Sequence, residues 1–189
     1  MRRIVLLVFL MLFTNSVLAS QDLSKQAVAF YSDNNFNKTM DLILQINETA
    51  RTPQDWLLLG NILHEKGEKE NAIFMYQKAI AVDHKYYKAY YNLANIFLAD
   101  DNYGLAIEHY KKAVSLNKNN PYLHYNLACA YIKFGDIKKA KSSLIKAVTL
   151  KNDIPEVHYN LAYVYKSLGK AEIAQTYLNN YNKLSENNY

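Results

Sequence analysis

The chain has 189 residues, of which 50% are apolar and 21% are charged, with five Gly, three Pro and one Cys. These proportions exclude a disordered, collagen-like or disulfide-stapled chain and predict one ordinary domain with a real core. The formal net charge is +5, but Arg occurs only at positions 2, 3 and 51, so Lys carries nearly all the positive charge. Nucleic-acid recognition is disfavoured, because bidentate recognition of bases and phosphates prefers Arg.

Residues 1–19 have the pattern of a secretory signal peptide. Two arginines precede an apolar run from Ile4 to Phe13, and Ala19 provides a small residue at the expected cleavage site. The run is shorter than the roughly 20 residues that span a bilayer, so cleavage after Ala19 is favoured over an uncleaved anchor. The prediction is an extracytoplasmic protein, periplasmic or secreted, whose membrane contact is limited to the signal segment if that segment is not cleaved.

A period of 34 residues runs through the rest of the chain. The residues that recur at multiples of this spacing are Pro53, Pro121 and Pro155, and Gly67, Gly135 and Gly169. The segment Tyr-Asn-Leu-Ala also recurs, at 91–94, 125–128 and 159–162. If each unit begins at the proline position, the repeats are 53–86, 87–120, 121–154 and 155–188.

Each unit is predicted to form two helices. Proline is tolerated at the first helical position, and Thr52 or Asn120 before it can cap the helix. Glycine near position 15 ends the first helix in the left-handed conformation. Small residues recur where helices must approach closely: Gly60, Ala94, Ala128 and Ala162 in the first helices, and Ala72, Ala106, Ala140 and Ala174 in the second.

These residues resemble a known repeat family. The segments that carry the resemblance are Trp56-x-x-Leu59-Gly60 and Ala72-x-x-x-Tyr76. They are similar to the tetratricopeptide repeat (TPR), over about 53–184. The resemblance implies an all-α fold, a right-handed TPR superhelix that is an α-solenoid of antiparallel helix pairs. Residues 20–52 keep the spacing with Thr39 at a small-residue position and are interpreted as a degenerate N-terminal capping repeat.

The resemblance also implies a concave groove lined by the first helices. The residues that it places there are Asn61, Tyr91, Asn92, Asn95, Tyr122, Tyr125, Asn126, Tyr159, Asn160 and Tyr163. The row Asn92, Asn126 and Asn160 is similar to the asparagine ladder in the TPR superhelix of the O-linked N-acetylglucosamine transferases, which holds extended polypeptide. An Asn amide donates and accepts, so the row suits a peptide backbone. The alternative is that these Asn residues bond only to their neighbours.

The last repeat departs from the pattern. Tyr181 replaces the Ala found at this position in the other three repeats, and no further amphipathic helix follows. An uncapped solenoid end exposes an apolar helix face. The expectation is a C-terminal docking face at Leu178, Tyr181 and Leu184, which a partner protein or another copy of the chain covers in a weak homo-oligomer.

No catalytic or metal-binding constellation is recognisable. The five His residues lack ligand spacing, Cys129 stands alone, and phosphate-binding glycine loops and nucleophile motifs are missing. The sequence therefore predicts a protein that is not an enzyme and uses neither a cofactor nor a metal. The predicted function is protein–protein interaction or complex assembly, by binding an extended peptide or helix in the groove. The alternative is a glycan-binding or polysaccharide-export accessory protein, since Tyr and Asn also suit sugar faces and hydroxyls.

Overall fold

The computed structural model describes the backbone of residues 2–186 and the side chains of residue 14 and residues 16–186. The apolar side chains of the predicted signal segment, residues 4–13, and positions 187 and 188 of the last predicted repeat lie outside the described residues. The chain divides into two compact units, 1–89 and 90–189. Each unit is described separately below.

The described chain is all-helical, as the sequence predicted. The α-helices are α1 (Arg2–Ser32), α2 (Phe36–Gln45), α3 (Pro53–Glu65), α4 (Lys69–Val82), α5 (Tyr87–Ala99), α6 (Tyr103–Leu116), α7 (Pro121–Phe134), α8 (Ile137–Leu150), α9 (Pro155–Ser167) and α10 (Ala171–Glu186). A short 3₁₀ helix, Glu48–Ala50, lies between α2 and α3. Consecutive helices pack in pairs, among them α1 with α2, α3 with α4, α7 with α8, and α9 with α10.

The first helix runs without interruption from Arg2 to Ser32. The predicted cleavage site after Ala19 therefore falls inside α1, and cleavage itself stays a prediction. Over the residues that the structure describes, we find no helix with the length and apolar character needed to cross a membrane.

The helix ends confirm the predicted capping. Pro53 and Pro121 stand at the first helical position of α3 and α7. Thr52 and Asp55 form a reciprocal capping box, and the Asn120 side chain accepts from the Tyr122 backbone N–H. These bonds satisfy N–H groups that lack a partner within the helix.

The turns within the helix pairs confirm the predicted left-handed residues. Gly67, Gly135 and Gly169 have φ of 78°, 87° and 72°. At the same place in the second repeat, Asp101 adopts φ 57°. Asp tolerates this conformation better than most residues with a side chain, because its short carboxylate bonds locally. The four turns thus share the left-handed backbone conformation even though the residue type differs.

In unit 1 (1–89), the small-residue positions hold two unusual residues. Gly60 faces the Tyr76 ring so closely that an added Cβ would lie 2.5 Å from Tyr76 Cε1. Thr39 is fully buried, and its hydroxyl donates to the carbonyl oxygens of Asn35 at 3.0 Å and Ala27 at 3.4 Å. Because these bonds satisfy the hydroxyl, Thr replaces Ala in the N-terminal pair without leaving a buried polar group unpaired.

In unit 2 (90–189), alanines allow close helix packing and large side chains fill the space between helices. The fully buried alanines there are Ala94, Ala106, Ala113, Ala128, Ala130, Ala140 and Ala147. Around them Tyr110, Leu144 and Leu161 are at most 1% exposed. Burial of such side chains stabilises the fold by about 1.5–3 kcal/mol each, which makes this cluster the main source of stability in the unit.

Candidate functional site

Asparagine–tyrosine bridges connect the first helices α5, α7 and α9 of unit 2. The Asn126 Nδ2 donates to the Tyr91 hydroxyl at 3.3 Å. One repeat later, the Asn160 Nδ2 donates to Cys129 Sγ at 3.5 Å, and the Asn160 side chain lies close enough to the Tyr125 hydroxyl to oppose the rise of its pKa. In the third and fourth repeats, the Asn at the sixth position therefore lies against the Tyr at the fifth position of the preceding repeat, whereas the corresponding residue before Asn92 is Leu57. The bridges set the amides one repeat apart.

These bridges leave the asparagines chemical capacity for a ligand. A primary amide has two N–H donors and a carbonyl acceptor, so a bond to tyrosine occupies part of it. Asn92, Asn126 and Asn160 are all partly exposed. The bond to a neighbour fixes the orientation of the amide, which lowers the entropy cost of binding a peptide group.

Burial determines the chemistry of the thiol beside the row. Desolvation raises the pKa of the Cys129 thiol above its ordinary value, although bonds from Tyr125 and Asn160 oppose the shift. Burial, reinforced by the neighbouring Cys129, likewise raises the pKa of Tyr125. Both groups therefore stay protonated at neutral pH, and Cys129 serves as a hydrogen-bond partner, since a thiolate would be needed for nucleophilic attack.

Three tyrosine rings present large exposed surfaces. Tyr122, Tyr159 and Tyr163 are 49%, 54% and 49% exposed. The Lys151 ammonium donates to the Tyr122 hydroxyl at 3.3 Å, and this bond raises the pKa of Lys151. The Tyr159 ring lies 5.3 Å from that of Tyr181. Together with Asn92 and the residues of the Asn–Tyr contacts, they form what we call the Asn–Tyr face: Tyr91, Asn92, Tyr122, Tyr125, Asn126, Tyr159, Asn160 and Tyr163.

Two predicted groove residues accept a hydrogen bond from a tyrosine of their own helix pair. In unit 1, Asn61 Oδ1 accepts from the Tyr76 hydroxyl at 2.9 Å, and its Nδ2 donates to the Tyr31 hydroxyl at 3.2 Å. In unit 2, Asn95 Oδ1 accepts from the Tyr110 hydroxyl at 2.5 Å. Both amides thus serve the core of a repeat. The sequence signal for this role is an Asn followed 15 residues later by Tyr.

The last helix pair contains a cavity that sequence reasoning missed in part. A cavity of about 390 Å³ lies between α9 and α10. This C-terminal cavity is lined by Tyr159, Ala162, Tyr163, Lys166, Ala171, Ala174, Gln175 and Leu178. The predicted docking residues Leu178, Tyr181 and Leu184 are partly exposed on α10, and Leu178 lines the cavity. Ala171 and Gln175 were not expected there, because the sequence pattern marks only large apolar residues.

Two histidines of unit 2, which occupy the same position in successive repeats, are buried structural residues. Nε2 of His124 lies 2.8 Å from the Lys118 carbonyl oxygen, and Nε2 of His158 lies 2.7 Å from that of Asn152. Each ring thereby ties a first helix to the turn before it. Within the described part of the chain, no group of three or more His, Cys, Asp or Glu side chains could hold a metal ion.

Tandem helix pairs with small residues at fixed contacts and a glycine-type turn in each pair define an α-helical repeat protein. A model described as a TPR repeat matches residues 60–101 and 94–135, and a model described as the tetratricopeptide repeat matches 121–154 and 155–188. Together these matches cover more than half of the chain. The chain belongs to the tetratricopeptide-repeat family. No curated protein matches it.

Solved structures of MamA share the fold. MamA from Desulfovibrio magneticus RS-1, beginning at its residue 41, is 15% identical, with a TM-score of 0.77 over 89% of this chain and 96% of that chain. MamA MSR-1 is 20% identical, with a TM-score of 0.73 over 92% and 98%. MamA AMB-1 is 19% identical, with a TM-score of 0.74 over 89% and 93%. At these identities the likeness shows the TPR solenoid fold.

Proposed function

We propose that the chain is an exported, non-enzymatic scaffold that mediates protein–protein interaction or complex assembly through the Asn–Tyr face. The family supports this proposal, because tandem helical repeats form extended binding surfaces. The observation that carries it is the repeated contact of an Asn with the preceding repeat, Asn126 bonded to Tyr91, and Asn160 bonded to Cys129 beside Tyr125. It presents oriented amides at regular spacing beside exposed tyrosine rings.

The ligand that suits this face is an extended peptide or a helix. The amides bind backbone groups of the ligand with little regard to its sequence, while Tyr122, Tyr159 and Tyr163 pack on its side chains. These contacts are largely uncharged, so the affinity should depend only weakly on salt concentration. A steep loss of binding with salt would indicate the Lys-rich surfaces instead.

The test compares partner capture by the parent and by a face variant. Full-length chain is crosslinked in its native extracytoplasmic fraction, beside a variant with Asn92→Ala, Asn126→Ala and Asn160→Ala. A control variant replaces three exposed asparagines outside the predicted groove, with Asn37→Ala, Asn119→Ala and Asn182→Ala. We expect the face variant to lose a protein partner that the control keeps. Equal capture by all three, with helicity retained, would refute the proposal.

The same captured material tests the class of ligand. A protein partner disappears after protease digestion, whereas a glycan survives it and would support the accessory role in polysaccharide binding or export. Export has its own test, the intact mass of the chain recovered from outside the cytoplasm. We expect a mature protein that begins at Ser20, and a cytoplasmic chain that retains residues 1–19 would contradict export.

A further inference from the structure

The C-terminal cavity lies beside α10 residues whose counterparts in the third repeat are covered by a further helix. Leu178 and Ala174 on α10 stand 34 residues after Leu144 and Ala140 on α8. Leu144 and Ala140 are 0% exposed, whereas Ala174 is 8% exposed and Leu178 is partly exposed. The leucine at this position is thus fully buried in the third repeat and partly exposed in the fourth, while the alanine stays mostly buried in both.

The helix that seals the third repeat is α9. It packs against α8, and its residues Val157, Leu161 and Val164 belong to the buried cluster that contains Leu144 and Ala140. These three residues have the spacing i, i+4 and i+7, which places them on one helix face. The structure therefore shows what kind of surface fits an α8-type face: an amphipathic helix with aliphatic residues at this spacing.

We propose that the C-terminal cavity is a docking site for an amphipathic α-helix of another protein, with aliphatic residues at i, i+4 and i+7 and an acidic residue at i+6. The aliphatic residues occupy the space over Leu178 and Ala174, as Val157, Leu161 and Val164 do over the preceding repeat. The cavity wall adds Tyr159 and Tyr163, whose rings bury apolar area and keep a polar hydroxyl at the edge.

The acidic residue is inferred from Lys166 and from the register of the repeats. Among the described residues that line the cavity, only Lys166 carries a charge. Asn160 at the sixth repeat position contacts Cys129 at the ninth position of the preceding repeat. A position in one first helix thus lies opposite the position three residues further along in the preceding first helix. If a docked helix keeps this register, its ninth-position residue, which corresponds to Tyr163, lies opposite Lys166 at the twelfth position of the fourth repeat. In a helix aligned with α9 this is position i+6, where a carboxylate would pair with the Lys166 ammonium.

The same register argues that the docked helix comes from another protein. The ninth-position residues of the repeats in this chain are Asn61, Asn95, Cys129 and Tyr163. None of them is acidic, so a first helix from a second copy would leave Lys166 unpaired. A partner that supplies a carboxylate is favoured because charge complementarity adds specificity to the apolar contact.

The binding test uses synthetic peptides built on α9. The probe comprises residues 153–168 with Tyr163→Glu, and its charge-reversed counterpart carries Tyr163→Lys. Titration of full-length chain into the labelled peptides should show at least tenfold tighter binding of the Glu peptide. The protein variant Lys166→Glu should reverse that preference. Equal affinity of the two peptides, or no binding of either, would overturn the proposal.

A pair of substitutions on α10 locates the site. Leu178→Asp places a charge in the cavity and should weaken the Glu peptide at least tenfold, whereas Ile173→Asp changes a 40%-exposed residue that does not line the cavity and should leave binding unchanged. Parent protein provides a check that is independent of folding: its amide NMR signals at Gln175 and Leu178 should shift on adding the Glu peptide. Shifts confined to other residues would contradict the assignment.

Two further outcomes separate the alternatives. Sedimentation of the full-length chain reveals self-association, and a dimer that Leu178→Asp abolishes and Ile173→Asp preserves would mean that a second copy covers the cavity. That result would overturn the choice of an acidic foreign helix. The variant with Asn92→Ala, Asn126→Ala and Asn160→Ala should still bind the Glu peptide, because none of these residues lines the cavity. Failure of the Asn–Tyr face is thereby distinguishable from failure of this site.

Discussion

The first two TPR repeats and the last two fill the same core position in different ways. In the first two, Tyr76 and Tyr110 are buried, and each hydroxyl donates to an Asn of its own repeat, Asn61 or Asn95. In the third, Leu144 takes this position and is fully buried. The ring brings more contact area but also a hydroxyl that needs a partner, while leucine needs only a sealed apolar space.

The residue at the ninth position changes together with this choice. It is Asn where the repeat has Tyr, and Cys129 or Tyr163 where the repeat has Leu144 or Leu178. The physical reason is that a buried hydroxyl without a partner costs about 1–3 kcal/mol, so the Tyr and its Asn are useful only as a pair. A repeat can therefore hold either a buried Leu or a buried Tyr with its Asn partner at this position, but a buried Tyr without that Asn would be destabilising.

The largest effect on stability is expected from truncating the buried leucine of the third repeat. Leu144→Ala should lower the free energy of unfolding by about 2–5 kcal/mol, because it opens a cavity in a fully buried cluster. Leu178→Ala should cost only about 1 kcal/mol, since Leu178 is already partly exposed beside an open cavity. Chemical denaturation of both variants measures the difference. Equal losses would show that the fourth repeat is sealed in solution.

A somewhat smaller effect is expected at the close approach of Gly60 to Tyr76. Gly→Ala in a helix normally stabilises by about 1 kcal/mol. Here the new Cβ would meet the Tyr76 ring, so Gly60→Ala should destabilise by about 1–3 kcal/mol through overpacking. The effect should change sign in a Tyr76→Leu background, which resembles the third repeat with its Ala128 and Leu144.

Thermal melting of the four proteins in this cycle provides the measurement. The matched control is Ala94→Gly in the second repeat, which removes a fully buried methyl group and should destabilise the protein. If Gly60→Ala stabilised the parent protein as much as it stabilised the Tyr76→Leu variant, the Tyr76 ring would not pack closely against Gly60.

The polar pair itself should contribute less. Tyr76→Phe removes the hydroxyl that donates to Asn61 and should cost about 1 kcal/mol. Tyr110→Phe should cost a similar amount through Asn95. A double-mutant cycle with Asn61→Ala isolates the coupling, measured by urea unfolding. A coupling energy near zero would mean that Tyr76 acts through its ring alone.

Much of the fold could be predicted from the sequence because it depends on spacing. The 34-residue period, the caps at Thr52 and Asn120 and the left-handed Gly67, Gly135 and Gly169 are local signals, and the structure has them where they were expected. The fully helical character of the described residues follows from the same periodicity. Local rules suffice here because each repeat packs mainly on its neighbours.

The candidate site was harder to predict because it depends on which way each amide bonds. The pattern assigned Asn61, Asn95 and Asn126 to one groove, yet Asn61 and Asn95 accept from tyrosines within their own repeats and Asn126 donates to Tyr91 of the preceding one. Hydrogen-bond direction and partner are tertiary properties, and sequence position alone does not determine them. The C-terminal cavity was hidden for the same reason, since Ala171 and Gln175 acquire a role only through the space beside α9.

The smallest expected effect is a pH dependence specific to the second repeat. His109 precedes Tyr110, its ring is stacked on Phe97 at 5.3 Å and lies 6.1 Å from Tyr90, and burial lowers its pKa although Glu108 opposes the shift. Because the folded protein binds this proton less readily than the unfolded chain, His109 should favour the fold above pH about 6.5 and lose that contribution as the pH falls through its lowered pKa. His109→Gln should therefore flatten the decline of melting temperature between neutral and mildly acidic pH. If the pH dependence of the melting temperature were the same in His109→Gln and the parent, protonation of the stacked His109 ring would not destabilise the second repeat. Its aromatic packing would then tolerate a positive charge.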